Sequence, residues 1–394
     1  MSRWKRRFGW AGLGLLAIFG LLVAAGFFDN RPDPEFEAQL ARSSADNFNA
    51  LVEAEAQRRG VSGVNIYHGD GAQAGTHSRL GRAKKGTVMQ AASLSKAVAA
   101  AVILTMADTK GVSIDEDIRA QITSLDIASL EGGNRPVTLR QLLSHTAGSS
   151  QSGYPGYPRD SALPTSADII ADPPRVFEFP LVFDSEVGAF RYSGGGYMIA
   201  QLWAQDVSGQ SFTRLAQETL LDPLGMEDST FSQPIEQDLS APGPVVGSDA
   251  GFNPLEATFA SLDNSWHNYP EQAAAGLWTS ARDYARFARA LIDASRGEPG
   301  AIPAKVAQEM LAPQVETGWE SGAQHYGLGL MHELDEGGSL TRFAHTGANI
   351  GYRAYFAAEL GQDGAPPRIA VSMANKGNAA PLNRAIVHAL MQRD

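Results

Sequence analysis

The sequence predicts an α/β protein whose sheet is assembled from both ends of the chain, with a mostly helical part inserted between them. Three observations lead there. A helix and strand pattern opens the folded part, helical periodicity dominates the middle, and strand-like runs followed by a helix close it. The 394 residues are 43% hydrophobic and 19% charged, which leaves ample room for a packed core and excludes a wholly disordered chain.

The elements follow in order. Arg3, Lys5, Arg6 and Arg7 precede an uncharged apolar run at 8–28, whose 21 residues are enough to cross a bilayer as a helix. The basic flank places the body beyond the membrane, on the periplasmic side, tethered to the inner membrane. A cleaved signal sequence is the alternative, with Val23-Ala24-Ala25 as the small-residue site. Residues 1–29 are therefore the expected anchor or signal, 30–37 a polar, Pro-containing linker, and 38–392 the body. Within the body, 38–90 and 322–392 are the expected sheet part and 91–321 the helical part.

Residues 35–59 read as one amphipathic helix, with Phe36, Leu40, Phe48 and Leu51 among its apolar positions. The alternation at 61–67 predicts a strand. The Ala-rich segment 91–107 predicts a helix, and 138–144 a short one capped by Thr138. Gly, Pro, Ser and Tyr make 148–190 loops with short helices. Helices are expected at 196–207, 212–220, 281–294 and 304–311, a loop at 235–275, strands at 326–332, 352–359 and 368–373, and a closing helix at 381–391.

Charge and composition exclude several functions. Without the four basic residues of the leader, 28 Lys and Arg stand against 43 Asp and Glu, a net of −15 that argues against nucleic-acid binding. With no cysteine, disulfides, thiolate metal sites and cysteine nucleophiles are excluded. The eight histidines are scattered and no H-E-x-x-H is present, so a zinc hydrolase is not expected. No G-x-S-x-G elbow marks an α/β-hydrolase.

Three segments carry possible chemistry. In Ser93-Leu94-Ser95-Lys96, helical spacing brings Ser93 and Lys96 onto one face. A desolvated lysine of lowered pKa can activate a serine hydroxyl, and Lys96 is the sole charge between Lys85 and Asp108. The other reading of Lys96 is a lysine snorkelling from a buried helix. In Arg191-Tyr192-Ser193-Gly194, a Tyr before glycines can project its phenol into a cleft and pass protons if a neighbouring cation lowers its pKa, or it can be a buried helix-capping residue. In His345-Thr346-Gly347-Ala348, a glycine-bearing strand edge lets substrate approach and its N–H groups can serve an oxyanion, or the segment is a turn with a surface His. His145 could be a base, but reads more simply as a structural turn residue.

Taken in this order, the three segments resemble the plan of the penicillin-recognising serine hydrolases. The chain is most similar to their class C β-lactamase-like branch, which includes D-alanyl-D-alanine carboxypeptidases, D-aminopeptidases and β-lactamase-like esterases. TLRQLLSHTAG at 138–148, DPLGMEDSTF at 222–231, AAAGLWTSARDYARFARAL at 273–291 and HTGANIGY at 345–352 extend the resemblance across about residues 38–392. It implies an antiparallel sheet flanked by helices, an inserted mostly helical domain and an active site between the two. By the same resemblance Ser93 is the nucleophile, Lys96 eases its deprotonation, and Tyr192 works with Lys96 as base and then protonates the leaving group. The N–H groups of Ser93 and Ala348 form the oxyanion hole, and Gly194, His345, Thr346 and Gly347 line the substrate. No metal or organic cofactor is implied.

Two positions depart from the family pattern. Gly194 stands where an Asn amide is common, and His345 where a Lys cation is common. Both changes point away from β-lactams and free carboxylates, toward small esters, amides or peptidoglycan-derived peptides. Arg353 is a candidate substitute carboxylate partner. The alternatives are a β-lactamase proper and a non-catalytic penicillin-binding-like receptor.

Overall fold

The computed structural model describes residues 33–71, 75–83, 86–173, 179–235, 266–319, 323–361 and 365–393. The expected anchor at 1–29 and most of the expected loop at 235–275 lie outside them.

The body opens with α1 (Pro34–Arg42) and α2 (Ala45–Arg58), then β1 (Gly63–Gly69) and β2 (Thr76–Gly81). The short β3 (Met89–Gln90) and a tight turn at Ala92–Leu94 lead into α3 (Ser95–Lys110). The helical middle holds α4 (Leu139–Leu143), the short β4 (Tyr157–Pro158), α5 (Ser166–Ala171), α6 (Gly194–Ser208) and α7 (Phe212–Ala216). It continues with β5 (His267–Asn268), α8 (Gln272–Ala275), β6 (Trp278–Thr279), α9 (Ala281–Ser295) and α10 (Ala304–Leu311). The chain closes with β7 (Val315–Glu316), β8 (His325–Tyr326), β9 (Met331–Leu334), β10 (Leu340–Asn349), β11 (Tyr352–Glu359), β12 (Arg368–Ala374) and α11 (Ala380–Met391).

Eight strands form one antiparallel sheet in the order β2-β1-β12-β11-β10-β9-β8-β7. The sheet is thus built from both ends of the chain, with β1 paired to β12. Alternation along each strand sorts the two faces. Val64, Ile66, Ala370 and Ala374 pack under α1, α2 and α11. Tyr67, Ile369, Val371, Met373 and Phe356 face the larger core that runs on into the helical middle. In that core α3 is buried on every side, so an all-round apolar sequence is what its position demands. The segment Ala92–Lys110 is the one helix among the described residues long and apolar enough to cross a membrane, and 83% of it is buried inside the protein.

Several expectations are corrected. The helix expected at 35–59 is two, because Ser44 leaves helical geometry and its hydroxyl caps α2 at Asn47 N. Residues 34–37 of the expected linker are the first turn of α1, capped by Asp33. The strand expected at 326–332 is a hairpin, with Gly329 at φ +86° in the turn between β8 and β9. Two of the longer strands are not among those expected: β2 is polar, and β10 mixes Thr, Arg, His and Gly with its apolar residues. The His-Thr-Gly segment therefore lies inside a ten-residue strand, not in a turn before one. Helix α9, assigned to the helical part, packs on the sheet, with Tyr284 4.7 Å from the ring of Phe356.

Candidate active site

Ser93 sits on the turn that joins β3 to α3. Ala91 N donates to Leu277 O at 2.9 Å, Tyr284 Oη donates to Leu94 O at 3.0 Å, and Ser95 Oγ accepts from Leu277 N at 2.9 Å. These bonds hold the turn against β6 and α9. Ala92 adopts φ +50°, a left-handed conformation costly for a residue with a Cβ. The other described non-glycine residues at positive φ are His145 and Gln151, both in the segments beneath Tyr192. Backbone strain among the described residues is thus gathered at this site.

Lys96 enters one helical turn after Ser93. Its Nζ lies 3.1 Å from Ser93 Oγ and donates to Ala274 O at 2.8 Å. Its side chain is buried, and desolvation lowers its pKa to about 7. Among the described residues no carboxylate lies within ion-pair distance of it; its neighbours are the rings of Tyr192 and Tyr197, 5.0 and 5.6 Å away. Near neutral pH a large share of Lys96 is therefore an unprotonated amine facing a serine hydroxyl, a pair able to generate a nucleophile.

Tyr192 precedes α6, whose N-cap is Ser193: its Oγ accepts from Gly196 N at 3.0 Å and donates to Ser150 O at 2.6 Å. The phenol interacts with Ser93, which favours its ionised form, but burial is the larger effect and raises its pKa. The condition of a cation-lowered phenol pKa is thus not met, and the ring is buried, as the other reading of Tyr192 has it. Lys96 carries the depressed pKa, and Tyr192 stays a proton donor. Gly194 opens α6, and a Cβ there would lie 3.3 Å from Tyr154 Cε2 and 3.4 Å from Ser152 O. The ring of Tyr154 stands where a longer side chain would extend.

Strand β10 closes the site. It outruns β9 beyond Ala344, so on that side residues 345–349 have no strand partner and lie against the Ser93 turn. Contact is so close that a Cβ on Gly347 would collide with Ala91 O. Thr346 and Ala348 point to the exposed side, while His345 is fully buried. Its Nδ1 is 2.7 Å from Thr346 O, its Nε2 is 3.0 Å from Tyr326 Oη, and desolvation, aided by Lys96, lowers its pKa to about 3. The expectation that the His345 side chain meets substrate is corrected: it is neutral and has no exposed surface. Arg353 directs Nη1 to the carbonyls of Asn349 and Tyr352 at 2.7 and 2.8 Å, which gives no support to a carboxylate role.

Two further side chains belong to the site: Tyr326, which the sequence marks only as the start of a strand, and His145, which it offers as a base or, more simply, a turn residue. The structure places His145 against Tyr192, ring centroids 4.3 Å apart, with Nε2 3.2 Å from Tyr326 Oη. The one available signal was the histidine inside TLRQLLSHTAG. No group of three or more metal-ligating side chains occurs among the described residues.

The chain is similar to known proteins in family and in fold. The family pattern described as Beta-lactamase matches residues 47–390. Protein flp of Staphylococcus aureus (strain N315) is 22% identical over 204 residues, covering 50% of this chain; the match spans only 40% of that relative's length. The octameric penicillin-binding protein homologue from Pyrococcus abyssi shares the fold at a TM-score of 0.68 and 20% identity, over 89% of this chain and 78% of that one. The D-amino acid amidase from Ochrobactrum anthropi SV3 shares it at 0.61 and 18%, over 89% and 98%. With Ser93 and Lys96 paired at the helix start and the family pattern spanning nearly the whole described body, this chain belongs to the beta-lactamase family of serine hydrolases.

Proposed function

We propose that the protein is an exported, membrane-tethered hydrolase that forms an acyl-enzyme at Ser93 on small esters, amides or peptidoglycan-derived peptides. The observation that carries the reading is the 3.1 Å pair of Ser93 Oγ and a buried Lys96 whose pKa lies near 7. Unprotonated Lys96 accepts the Ser93 proton as Oγ attacks the carbonyl. Tyr192, a neutral phenol beside Ser93, donates a proton to the leaving group and is restored from Lys96. The N–H groups of Ser93 and Ala348 receive the developing oxyanion. Water then releases the acyl group.

Two observations support neutral acyl donors. His345 stands where a cation would meet a carboxylate, and it is buried and neutral. Gly194 offers no side-chain amide. The shared fold of a D-amino acid amidase is in keeping with this class. The basic-then-apolar leader at 1–28 supports export and tethering.

Time-resolved intact mass tests the reading. A soluble fragment starting near Pro32 is mixed with a short-chain p-nitrophenyl ester, a D-amino acid amide, a D-Ala-D-Ala peptide and a penicillin, with Ser93→Ala alongside. An adduct on the wild type that is absent from Ser93→Ala, turning over fastest with ester or amide, is expected. Fastest turnover with penicillin would make it a β-lactamase proper, and no adduct with any donor would sink the reading.

A further inference from the structure

We propose that Tyr326 is a positioning residue of the Ser93 centre: its phenol joins His145 and His345 into one directional hydrogen-bond chain that fixes a single tautomer in each ring and holds the segment bearing Tyr192. The catalytic half of this proposal rests on the reading of Ser93 as the nucleophile; the tautomer half does not.

The direction of the chain follows from groups that have no choice of role. Ser193 N–H can only donate, and it reaches His145 Nδ1 at 3.0 Å. Nδ1 is therefore the acceptor, the neutral ring carries its proton on Nε2, and Nε2 donates to Tyr326 Oη at 3.2 Å. At the other end, Thr346 O can only accept, and it lies 2.7 Å from His345 Nδ1. That nitrogen carries the proton, Nε2 is an acceptor, and Tyr326 O–H donates to it at 3.0 Å. Each of the four bonds then has one donor and one acceptor. Protonating either ring breaks the pattern, because His145 Nδ1–H would face Ser193 N–H and His345 Nε2–H would face the Tyr326 O–H.

The chain spans four separate pieces of backbone: the turn after α4, the N-cap of α6, β8 and β10. It crosses between the helical part and the sheet beneath Tyr192. Tyr192 is held twice by His145, by ring contact at 4.3 Å and through the N–H of its neighbour Ser193. His145 itself is at φ +62°, a strained conformation that its surroundings must enforce. Tyr326 is the group that fixes which way both rings point. The titratable groups facing this cluster are Lys96, Tyr192, Tyr197 and Tyr284 besides the two histidines, and burial keeps both histidines below their ordinary range while Lys96 pushes them the same way.

Two measurements test the proposal. In the first, the wild type labelled with 15N-histidine is followed by long-range 15N–1H spectra from about pH 5 to 9, with His145→Gln and His345→Gln for assignment. The expected result is a proton on Nε2 of His145 and on Nδ1 of His345, with both rings titrating below the ordinary histidine range. The opposite tautomer in either ring, or titration near pH ~6.5, overturns the proposal whether or not the protein hydrolyses anything. In the second, Tyr326→Phe keeps the ring and removes the hydroxyl. A fall of about tenfold or more in kcat on a p-nitrophenyl ester is expected, with KM changed less than about twofold. Unchanged kcat in a folded Tyr326→Phe overturns the positioning role. Should that variant fail to fold, His145→Gln, whose amide can accept from Ser193 and donate to Tyr326, is expected to keep about tenfold more kcat than His145→Leu; equal losses overturn the role. If wild type forms no adduct at Ser93, the hydrolase reading fails and the tautomers alone decide.

Discussion

Lys96 Nζ and Ser93 Oγ are 3.1 Å apart, one helical turn from each other, at the start of a helix buried from Ser95 to Ala107. The relationship depends on burial as much as on spacing. On an exposed helix the same pair would face a permanent ammonium, which cannot accept a proton. Here the apolar surroundings of α3 and the lack of a carboxylate partner among the described residues bring Lys96 to about 7.

The pH profile follows from that value. The active form has Lys96 unprotonated, so kcat/KM for a neutral ester rises with pH through about 7 and then levels. An ascending limb centred near 7 is expected for wild type and none for Lys96→Met, which loses turnover. Lys96→Met is also expected to be more stable, since it removes a buried cation. With the folded pKa below the unfolded value of 10.5, wild-type stability rises with pH between about 7 and 10.5. The gain in Tm from Lys96→Met is therefore larger at pH ~6 than at pH ~9, checked by thermal melts at both.

Gly347→Ala places a methyl group on the carbonyl of Ala91. Either β10 moves away or the Ser93 turn does. A loss of about 1–3 kcal/mol of stability and a fall in kcat of more than tenfold are expected, read from denaturant melts and steady-state kinetics.

Ala92→Gly relieves the φ of +50°. Stability is expected to change by at most about 1 kcal/mol, because the strain released is offset by backbone entropy gained in the unfolded chain. Turnover is expected to fall, since Ser93 is then held by a looser turn. Single-turnover acylation of Ser93 separates the two effects.

Gly194→Asn restores the amide that the family pattern carries at this place. Its Cβ would start 3.3 Å from Tyr154, so that ring must give by a few tenths of an ångström. Hydrolysis of a penicillin is expected to stay as in wild type, while ester turnover drops. A gain in penicillin turnover on this change alone would contradict the packing argument.

Much of the site was legible in the sequence because it rests on local spacing. Ser93 and Lys96 meet across three residues, and Thr138 caps α4 as its position suggests, whereas the Ser193 cap, which starts α6 two residues before the expected 196, appears only in the structure. The alternation at 61–67 and the strand-like runs at 352–359 and 368–373 likewise carried β1, β11 and β12. Strand β10 is hidden because Thr, Arg, His and Gly interrupt its apolar residues, and the need for that glycine appears only when Ala91 lies against it.

What the sequence by itself determined is the set of local pairs and the family plan that orders them. What only the tertiary structure decided is the charge on each group. Lys96, Tyr192 and His345 have ordinary pKa values as isolated side chains. Their protonation states are set by burial among segments far apart in sequence, with Lys96 adding to the effect on His345 and Ser93 opposing it at Tyr192. Desolvation depends on what packs around a group in three dimensions, and no spacing along the chain encodes it.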